Sequence, residues 1–334
     1  MTRWFVPGRI EVLGKHTDYG GGRSLLAATE QGLTFTGNRS RDVSVISSVP
    51  SDRYVRTVVE RLRRDFGDAG GATITVTATL PAAAGLSSSS AFVTGLVLTL
   101  ADLWDITLPD GPDLVEYVAS VERGVGVRGG AEDHAAILLA REGHLLPCRF
   151  RPTRPEPYVP WRDDMVFVIA VSGVVAEKAL GTRERYNRTA GVLERIEAAG
   201  VPLAHLVDHP AEVDQWCATL SQPDARRLFQ FVVESAELIP QAVRGLRRDW
   251  YGFVDAVMWS YLLGGEALGN LVPETESLAE RAEAMGAEAT SPFGAGFGGS
   301  VFAVVTVDWA EEFAREWHHH TLITRPGGPA TRLD

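Results

Sequence analysis

Short apolar or alternating runs, each bounded by Gly, Pro, Asn or Asp, fill the first part of the chain. Apolar and polar residues that alternate with a period of two are typical of half-buried strands, and the bounding residues are those that form turns. We therefore predict strands in RWFVPGRIEVLG, GLTFTG, DVSVISS and ATITVTATL. The chain opens with a strand-rich region.

The pattern changes after Pro81, where a serine cluster at 87–90 precedes the apolar run AFVTGLVLTLADLWD. This run is too long for a strand, and serine side chains can cap a helix start, so we predict a Gly/Ser loop directly before a buried helix. A second predicted helix, DLVEYVASVERG, ends at Gly124. A glycine-broken loop then leads into a third predicted helix, AEDHAAILLAREG.

The segment RPTRPEPYVPWR, residues 151–162, has four prolines and predicts an extended linker. Beyond it we predict a strand in MVFVIAVSGV, several amphipathic helices between about 183 and 287, and a Gly-rich turn, FGAGFGG, that runs into the strand SVFAVVTV. Such an alternation of helices and strands indicates an α+β second domain. We therefore predict two domains, at residues 1–155 and 163–334.

Composition narrows the possible partners. The 334 residues carry a formal net charge of −11, which would repel a phosphate backbone, so we expect no nucleic acid partner. No run approaches 18 apolar residues and MTRWFVPGRI lacks the apolar region of a secretion signal, so we expect no membrane partner and a cytoplasmic location. No dimerisation element is visible, and we expect a monomer.

The cysteines and a histidine run offer little chemistry. Cys148 and Cys217 show neither CxxC spacing nor a nearby histidine pair, so the sequence indicates neither a disulfide framework nor a zinc site. The three histidines at 318–320 would point in different directions on a helix or strand, which favours surface or core positions over a metal site.

Three other segments combine residues that can bind ligands. PAAAGLSSSSAF, at 81–92, joins a glycine and hydroxyls to a helix start, which favours a phosphate-binding loop over a flexible linker, although the Walker pattern is absent. PGRIEVLGKHTDYGGG, at 7–22, crowds polar side chains after a strand and suits a polyhydroxylated ligand, the alternative being a solvated turn. SPFGAGFGGSVFAVV, at 291–305, could wrap a phosphate or form a tight turn.

In this order, the three segments resemble the signature motifs of the GHMP kinases, which include galactokinase, homoserine kinase, mevalonate kinase and phosphomevalonate kinase. The first motif, with PGR and HTDY, resembles the galactokinase branch. Four intervening segments are also similar to galactokinases: RYVRTVVERL at 53–62, GVRGGAEDHAAILLAREGHLLPCRFRP at 126–152, RERYNRTAGVLE at 183–194 and RPGGPATRL at 325–333.

The resemblance implies an α+β, two-domain GHMP kinase fold: an N-terminal ribosomal-protein-S5-like α/β domain, a C-terminal ferredoxin-like α+β domain, and an active site in the cleft between them. It also implies ATP and Mg²⁺ as cofactors. Ser89 matches the position whose hydroxyl meets Mg²⁺, and Glu122 is the candidate second ligand, one residue closer to Asp133 than in the family. The implied ATP-binding residues are Gly85, Leu86, Ser87, Ser88, Ser89, Ser90, Gly294 and Gly296, with Ser90 standing where the family has alanine.

Asp133 aligns with the catalytic aspartate of galactokinases. Such a carboxylate can accept the proton of a substrate hydroxyl as its oxygen attacks phosphorus, while a nearby arginine keeps the carboxylate ionised. Arg9 fits that second role, and the simpler alternative for Asp133 is a helix cap. The sugar contacts implied by the resemblance are His16, Asp18, Gly130, Asp133 and Tyr186, which favour a galacto-like hydroxyl pattern.

Lys15 departs from the galactokinase pattern, in which glutamate precedes HTDY and accepts a hydrogen bond from the C6 hydroxyl of the sugar. Lysine can only donate and attracts anions, and Arg128 adds a second cation. We therefore hypothesise a sugar with an anionic tail, such as a uronic acid or a heptose or octose phosphate; an octose 8-phosphate of lincosamide assembly is one candidate. In the alternative, a plain galactokinase, Lys15 turns away to pair with a neighbouring acid.

The sequence thus predicts an ATP-dependent kinase that phosphorylates the anomeric hydroxyl of a galactose-related sugar. Two alternatives remain. The first is a non-catalytic sensor of sugar and ATP, which the presence of Asp133, Arg9 and Ser89 disfavours. The second is a kinase of a small non-sugar alcohol, which HTDY at 16–19 disfavours.

Overall fold

A computed structural model of the chain describes residues 1–47, 52–67, 69–81, 84–126, 128–174 and 182–334. A few residues of the predicted segments lie outside these ranges: the end of DVSVISS, Ala82 and Ala83 of the serine-rich motif, and Val127 before the catalytic segment. The strands are β1 (Thr2–Leu13), β2 (Arg23–Ser40), β3 (Ser44–Ser47), β4 (Gly71–Ala78), β5 (His144–Arg149), β6 (Arg154–Pro155), β7 (Val159–Pro160), β8 (Met165–Val171), β9 (Ala289–Phe293), β10 (Ser300–Thr306), β11 (Thr321–Thr324) and β12 (Thr331–Arg332).

The helices of the described residues alternate with these strands in both halves of the chain. They are α1 (Asp52–Phe66), α2 (Ser88–Leu103), α3 (Gly111–Arg123), α4 (Glu132–Leu139), α5 (Thr182–Ala198), α6 (Leu203–Asp208), α7 (Val213–Cys217), α8 (Gln222–Val233), α9 (Ile239–Arg248), α10 (Trp250–Leu268), α11 (Pro273–Met285) and α12 (Ala310–Trp317). A π-helical turn, Glu234–Leu238, joins α8 to α9.

The first sheet is built on the long antiparallel hairpin of β1 and β2. Its strand order is β12-β1-β2-β4-β3, and β5 extends it by pairing with β2, β6 and β7. The strand predictions in this half are confirmed, but β2 is much longer than its predicted core, GLTFTG. Its first half, Ser24–Thr29, is buried throughout, so it shows no alternation from which a strand could be read.

Helix α2 packs along this sheet as the predicted buried helix. Its residues from Ser90 to Ala101 are all buried, as expected for a helix that is covered on every side. Gly95 makes the close approach possible, because a Cβ there would lie 2.0 Å from the ring of Phe35 on β2. This packing brings the N-terminus of α2 to the end of β1.

The second sheet is antiparallel, in the order β11-β8-β10-β9, and the predicted strands β8 and β10 form its centre. One hydrophobic core joins both halves of the chain, since Phe35 of the first sheet and Phe167 and Phe302 of the second belong to the same cluster. The two halves therefore pack as one body around the cleft between them.

The segment at the predicted domain boundary packs against both sheets. The proline-rich segment is not a free linker, because β6 and β7 pair with β5 and Trp161 stacks on Phe167 with ring centroids 4.5 Å apart. Strand β12 returns to the first sheet, where Thr331 pairs with Phe5. The segment 163–334 therefore contributes to both sheets.

The two cysteines and the histidine run at 318–320 lie in ordinary environments. Cys148 is buried, Cys217 is half-buried, and both are free thiols. The rings at 318–320 lie against one another, partly or fully exposed. Across the described ranges, no helix combines the length and apolar character needed to cross a membrane.

Candidate active site

A cavity of about 590 Å³ lies where the end of β1, the start of α2 and the start of α4 meet. Most of the candidate residues from the sequence line it, although they come from segments far apart in the chain. These lining residues are Arg9, His16, Asp18, Ser89, Ser90, Glu122, Gly130, Asp133, Tyr186 and Gly294.

Asp133 and Arg9 form an ion pair on the cavity wall. Arg9 Nε donates to Asp133 Oδ1 at 2.6 Å, and Arg9 Nη2 donates to the same oxygen. Burial alone would raise the pKa of Asp133, but the charge and hydrogen bonds of Arg9 outweigh it and hold that pKa below its usual value. Asp133 is therefore a carboxylate that stays ionised, with its side chain open to the cavity.

The serine-rich loop and the glycine-rich turn meet beside this pair. Gly85 and Gly294 both have positive φ, and a Cβ at Gly294 would lie 3.2 Å from the carbonyl oxygen of Gly85. Ser300 Oγ also donates to the carbonyl of Ala84 at 2.5 Å. The free N–H groups at the N-terminus of α2 thus lie next to Asp133, in an arrangement that suits phosphate. Gly296 contacts Asn270 instead of the cavity.

Ser90 joins the two acidic residues of this region. Its Oγ lies 2.8 Å from Glu122 Oε2 and 3.1 Å from Asp133 Oδ2. His134 Nε2 lies 2.8 Å from the same oxygen of Glu122, so that carboxylate is held from two sides. Ser89 lines the cavity, but Ser90 is the hydroxyl that contacts Glu122. The sequence had assigned the hydroxyl ligand of Mg²⁺ to Ser89.

The predicted sugar residues His16, Asp18, Gly130 and Tyr186 line the same cavity. Asp18 Oδ2 accepts the backbone N–H of Glu132 at 3.2 Å, and burial raises the pKa of Asp18 to about 6. Gly130 is required here, since a Cβ would lie 2.0 Å from Asp18 Oδ2. His16 has its ring centroid 5.3 Å from that of Tyr186, and burial lowers the pKa of His16 to about 3. This imidazole is therefore neutral.

Lys15 and Arg128 are not part of this cavity. Lys15 Nζ donates to the carbonyl of Pro292, lies 3.9 Å from Glu11 Oε1, and does not line the wall. Arg128 Nη1 donates to Glu194 at 2.9 Å, with more than half of its side chain exposed beside a second cavity. Both cations predicted to bind an anionic tail are thus engaged elsewhere, and Lys15 takes the alternative position beside an acid.

Comparison with known proteins matches two families to this site. Residues 53–141 match the GHMP kinases N terminal domain, and residues 2–39 match the galactokinase galactose-binding signature. A galactokinase of Exiguobacterium sibiricum is 28% identical, with 98% of this chain and 90% of that protein covered. These matches support the galactokinase-like branch of the GHMP kinases. A galactokinase of Thermococcus kodakarensis is 25% identical over 97% of this chain and 98% of its own length.

Solved structures confirm the fold. Lactococcus lactis galactokinase complexed with galactose has a TM-score of 0.88 at 21% identity, with 99% of this chain and 95% of that chain covered. Mevalonate kinase of L. major in complex with R-mevalonate has a TM-score of 0.68 at 16% identity, with 97% and 96% covered. The predicted α+β GHMP kinase fold is thus confirmed.

The residues present fit the cofactors of the family, ATP and Mg²⁺. Protein Mg²⁺ sites usually combine one or two carboxylates with substrate phosphates and water. Glu122, Asp133 and the Ser90 hydroxyl offer such oxygens next to the N-terminus of α2. The described part of the chain holds no group of three or more His, Cys, Asp or Glu arranged for a metal.

Sequence reasoning missed the helix that holds the loop between β1 and β2, residues 14–22, which carries His16 and Asp18 and is called the sugar loop below. Arg227 Nη2 donates to the carbonyl of His16 at 2.5 Å, and Gln230 Nε2 donates to that of Lys15 at 3.1 Å. Glu234 Oε1 accepts the N–H of Gly14 at 2.8 Å. The available signal was the spacing of three and four residues, which places these polar side chains on one face of an otherwise apolar helix.

Proposed function

We propose that this protein is an ATP-dependent kinase that phosphorylates the anomeric (C1) hydroxyl of a galactose-like sugar. The observation that carries the proposal is the Arg9–Asp133 pair, which lies between the sugar loop and the phosphate-binding start of α2. One ionised carboxylate is therefore next to both places where the reactants would sit.

The proposed reaction is a proton transfer coupled to phosphoryl transfer. Asp133 accepts the proton of the C1 hydroxyl, and Arg9 keeps the carboxylate ionised until then and offsets charge on the transferring group. Ser90 and Glu122 would hold Mg²⁺. When bound, ATP and Mg²⁺ supply the phosphoryl group and neutralise its charge. Asp18 accepts hydrogen bonds from sugar hydroxyls and orients the ring.

The substrate we propose is a neutral, galacto-configured sugar. The hypothesis of an anionic tail depends on Lys15 and Arg128, and neither cation lines the cavity: Lys15 donates to the carbonyl of Pro292 and Arg128 donates to Glu194. The galactose-binding signature at 2–39 and the retained Asp18 support galactose itself or a close analogue. This is the plain galactokinase alternative raised by the sequence.

A coupled assay for ADP release tests the proposal. We expect turnover with MgATP and galactose, and clearly less with galacturonate, a long-chain sugar phosphate, homoserine or mevalonate. Preference for an anionic sugar would restore the anionic-tail hypothesis. Binding of galactose and ATP with no ADP release would instead favour the non-catalytic sensor, which the intact Arg9–Asp133 pair disfavours.

A further inference from the structure

A second buried carboxyl group, that of Glu11, lies on the cavity wall and has no part in the mechanism above. Strand β1 presents Arg9 and Glu11 on the same face, two residues apart, and its pairing with β2 is irregular on either side of them. Irregularities of this kind re-aim side chains next to active sites. Glu11 is only 3% exposed, yet it lines the cavity.

One oxygen of Glu11 is unused. Within the described residues, Glu11 Oε1 is buried and has no hydrogen-bond partner. Its nearest opposite charge, Lys15 Nζ, lies 3.9 Å away and donates to the carbonyl of Pro292 instead. The carboxyl group of Glu11 shares a hydrogen bond with that of Glu132, and this leaves Oε1 without a donor. A buried carboxyl oxygen without a donor is costly, and because Glu11 lines a ligand cavity, a bound ligand can supply that donor.

The charges around Glu11 define what that donor can be. Both signs of charge line the cavity: Arg9, Arg53 and Arg123 are the cations, and the carboxyl groups are those of Glu11, Asp18, Glu122, Glu132 and Asp133. Lys15 lies outside the wall, 3.9 Å from Glu11 Oε1. A hydroxyl can donate a hydrogen bond to a carboxyl oxygen here, whereas an anionic substituent has no proton to donate.

We propose that Glu11 is a substrate-specificity residue that accepts a hydrogen bond from one hydroxyl of the bound sugar, with Lys15 holding its carboxyl group in place. The inference rests on the proposed function, because it assumes that the cavity binds a sugar. It assigns to Glu11, and not to Lys15, the contact that selects the sugar at this end of the cavity.

Binding of galactose and of its 2-, 3-, 4- and 6-deoxy analogues, measured by calorimetry on the full chain, tests the proposal. We expect the parent protein to bind one analogue more weakly than galactose by about 10-fold to 150-fold through the lost hydrogen bond to a carboxyl group. In Glu11→Met that difference should shrink to less than about threefold at the same position, and Glu11→Gln, which keeps an acceptor oxygen, should be intermediate.

Two further variants control for a failure to fold and for the loss of a carboxyl group outside the cavity. Glu11→Met combined with Lys15→Met removes both charges, so it tests the same contact if Glu11→Met alone does not fold. Asp102→Asn changes a carboxyl group that accepts hydrogen bonds from Thr2 and Trp4 and does not line the cavity, and it should keep the parent pattern of discrimination.

The outcomes separate this inference from the proposed function. A parent pattern that persists at every sugar position in both Met-containing variants would overturn the assignment of Glu11 while leaving the kinase proposal intact. Because binding is measured without turnover, a protein that binds galactose but releases no ADP still tests Glu11. A protein that binds no sugar would overturn both.

Discussion

Replacing Asp133 with asparagine tests the proposed proton transfer most directly. The amide has nearly the same shape, and its oxygen can still accept the Arg9 Nε–H that the carboxylate accepts at 2.6 Å. The variant loses only the basic group and its charge. Removal of a general base typically slows a reaction by 10²–10⁴-fold, so we expect kcat to fall at least about 100-fold, or about 2.7 kcal/mol of transition-state stabilisation.

The same substitution should have a small effect on stability. The side chain of Asp133 is 32% exposed, so water already screens part of its attraction to Arg9. Arg9 also keeps a second carboxyl group, that of Glu132, 3.8 Å away. We therefore expect the free energy of unfolding to fall by less than about 3 kcal/mol, and the KM for ATP to change less than about threefold.

The assay is ADP release at saturating MgATP and galactose, accompanied by a thermal melt of each variant. Glu132→Gln is the matched control, because Glu132 also lies beside Arg9 and lines the cavity. Burial raises the pKa of Glu132 well above its usual value and so disfavours the ionised form that a general base requires. Glu132→Gln should therefore cost less in kcat than Asp133→Asn. Near-normal turnover in Asp133→Asn, or a larger loss in Glu132→Gln, would refute the assignment of the base.

Four further outcomes follow from the geometry. Gly130→Ala should raise the KM for sugar at least about tenfold, with an unchanged KM for ATP, because its Cβ would displace Asp18. The sugar kcat/KM should fall as pH drops through about 6, where Asp18, with its raised pKa, gains a proton and loses acceptor capacity; a profile flat to pH 5 would contradict this. Ser90→Ala should raise the Mg²⁺ concentration for half-maximal activity more than Ser89→Ala does, and the reverse order would restore Ser89 as the ligand. Arg227→Met removes the hydrogen bond to the carbonyl of His16 and should lower the free energy of unfolding by about 2–4 kcal/mol in urea titrations. An unchanged midpoint would mean that this contact does not stabilise the sugar loop.

The first half of the chain is the part whose structure the sequence predicts best. Local patterns were sufficient there: the alternation in β4, the serine cluster before α2, and the glycine that follows α3 each act within a few residues. The motifs also predicted ten of the 21 residues that line the cavity, including Asp133 and Asp18, because their chemistry depends on residue type as much as on position.

Long-range contacts explain what the sequence could not predict. Strand β12 pairs with β1 from the far end of the chain, and a strand of two residues has no local sequence pattern that could predict this pairing. The same holds for Lys15: its residue type suggested an anion site, whereas its environment, set by Glu11 and the carbonyl of Pro292, turns it away from the cavity. The contact of Ser90 with Glu122, 32 residues further along the chain, is likewise set by the fold and not by the local sequence.

The π-helical turn, Glu234–Leu238, makes this stretch of the chain sensitive to changes in length. Ahead of the turn, Arg227 faces the sugar loop; after it, Ile239 and Ala242 face the core. Each helical residue adds a rotation of about 100°, so one residue more or fewer in the turn would swing one of these faces away from its partner. Homologous enzymes that keep this loop should therefore tolerate substitutions within the turn far more readily than single insertions or deletions.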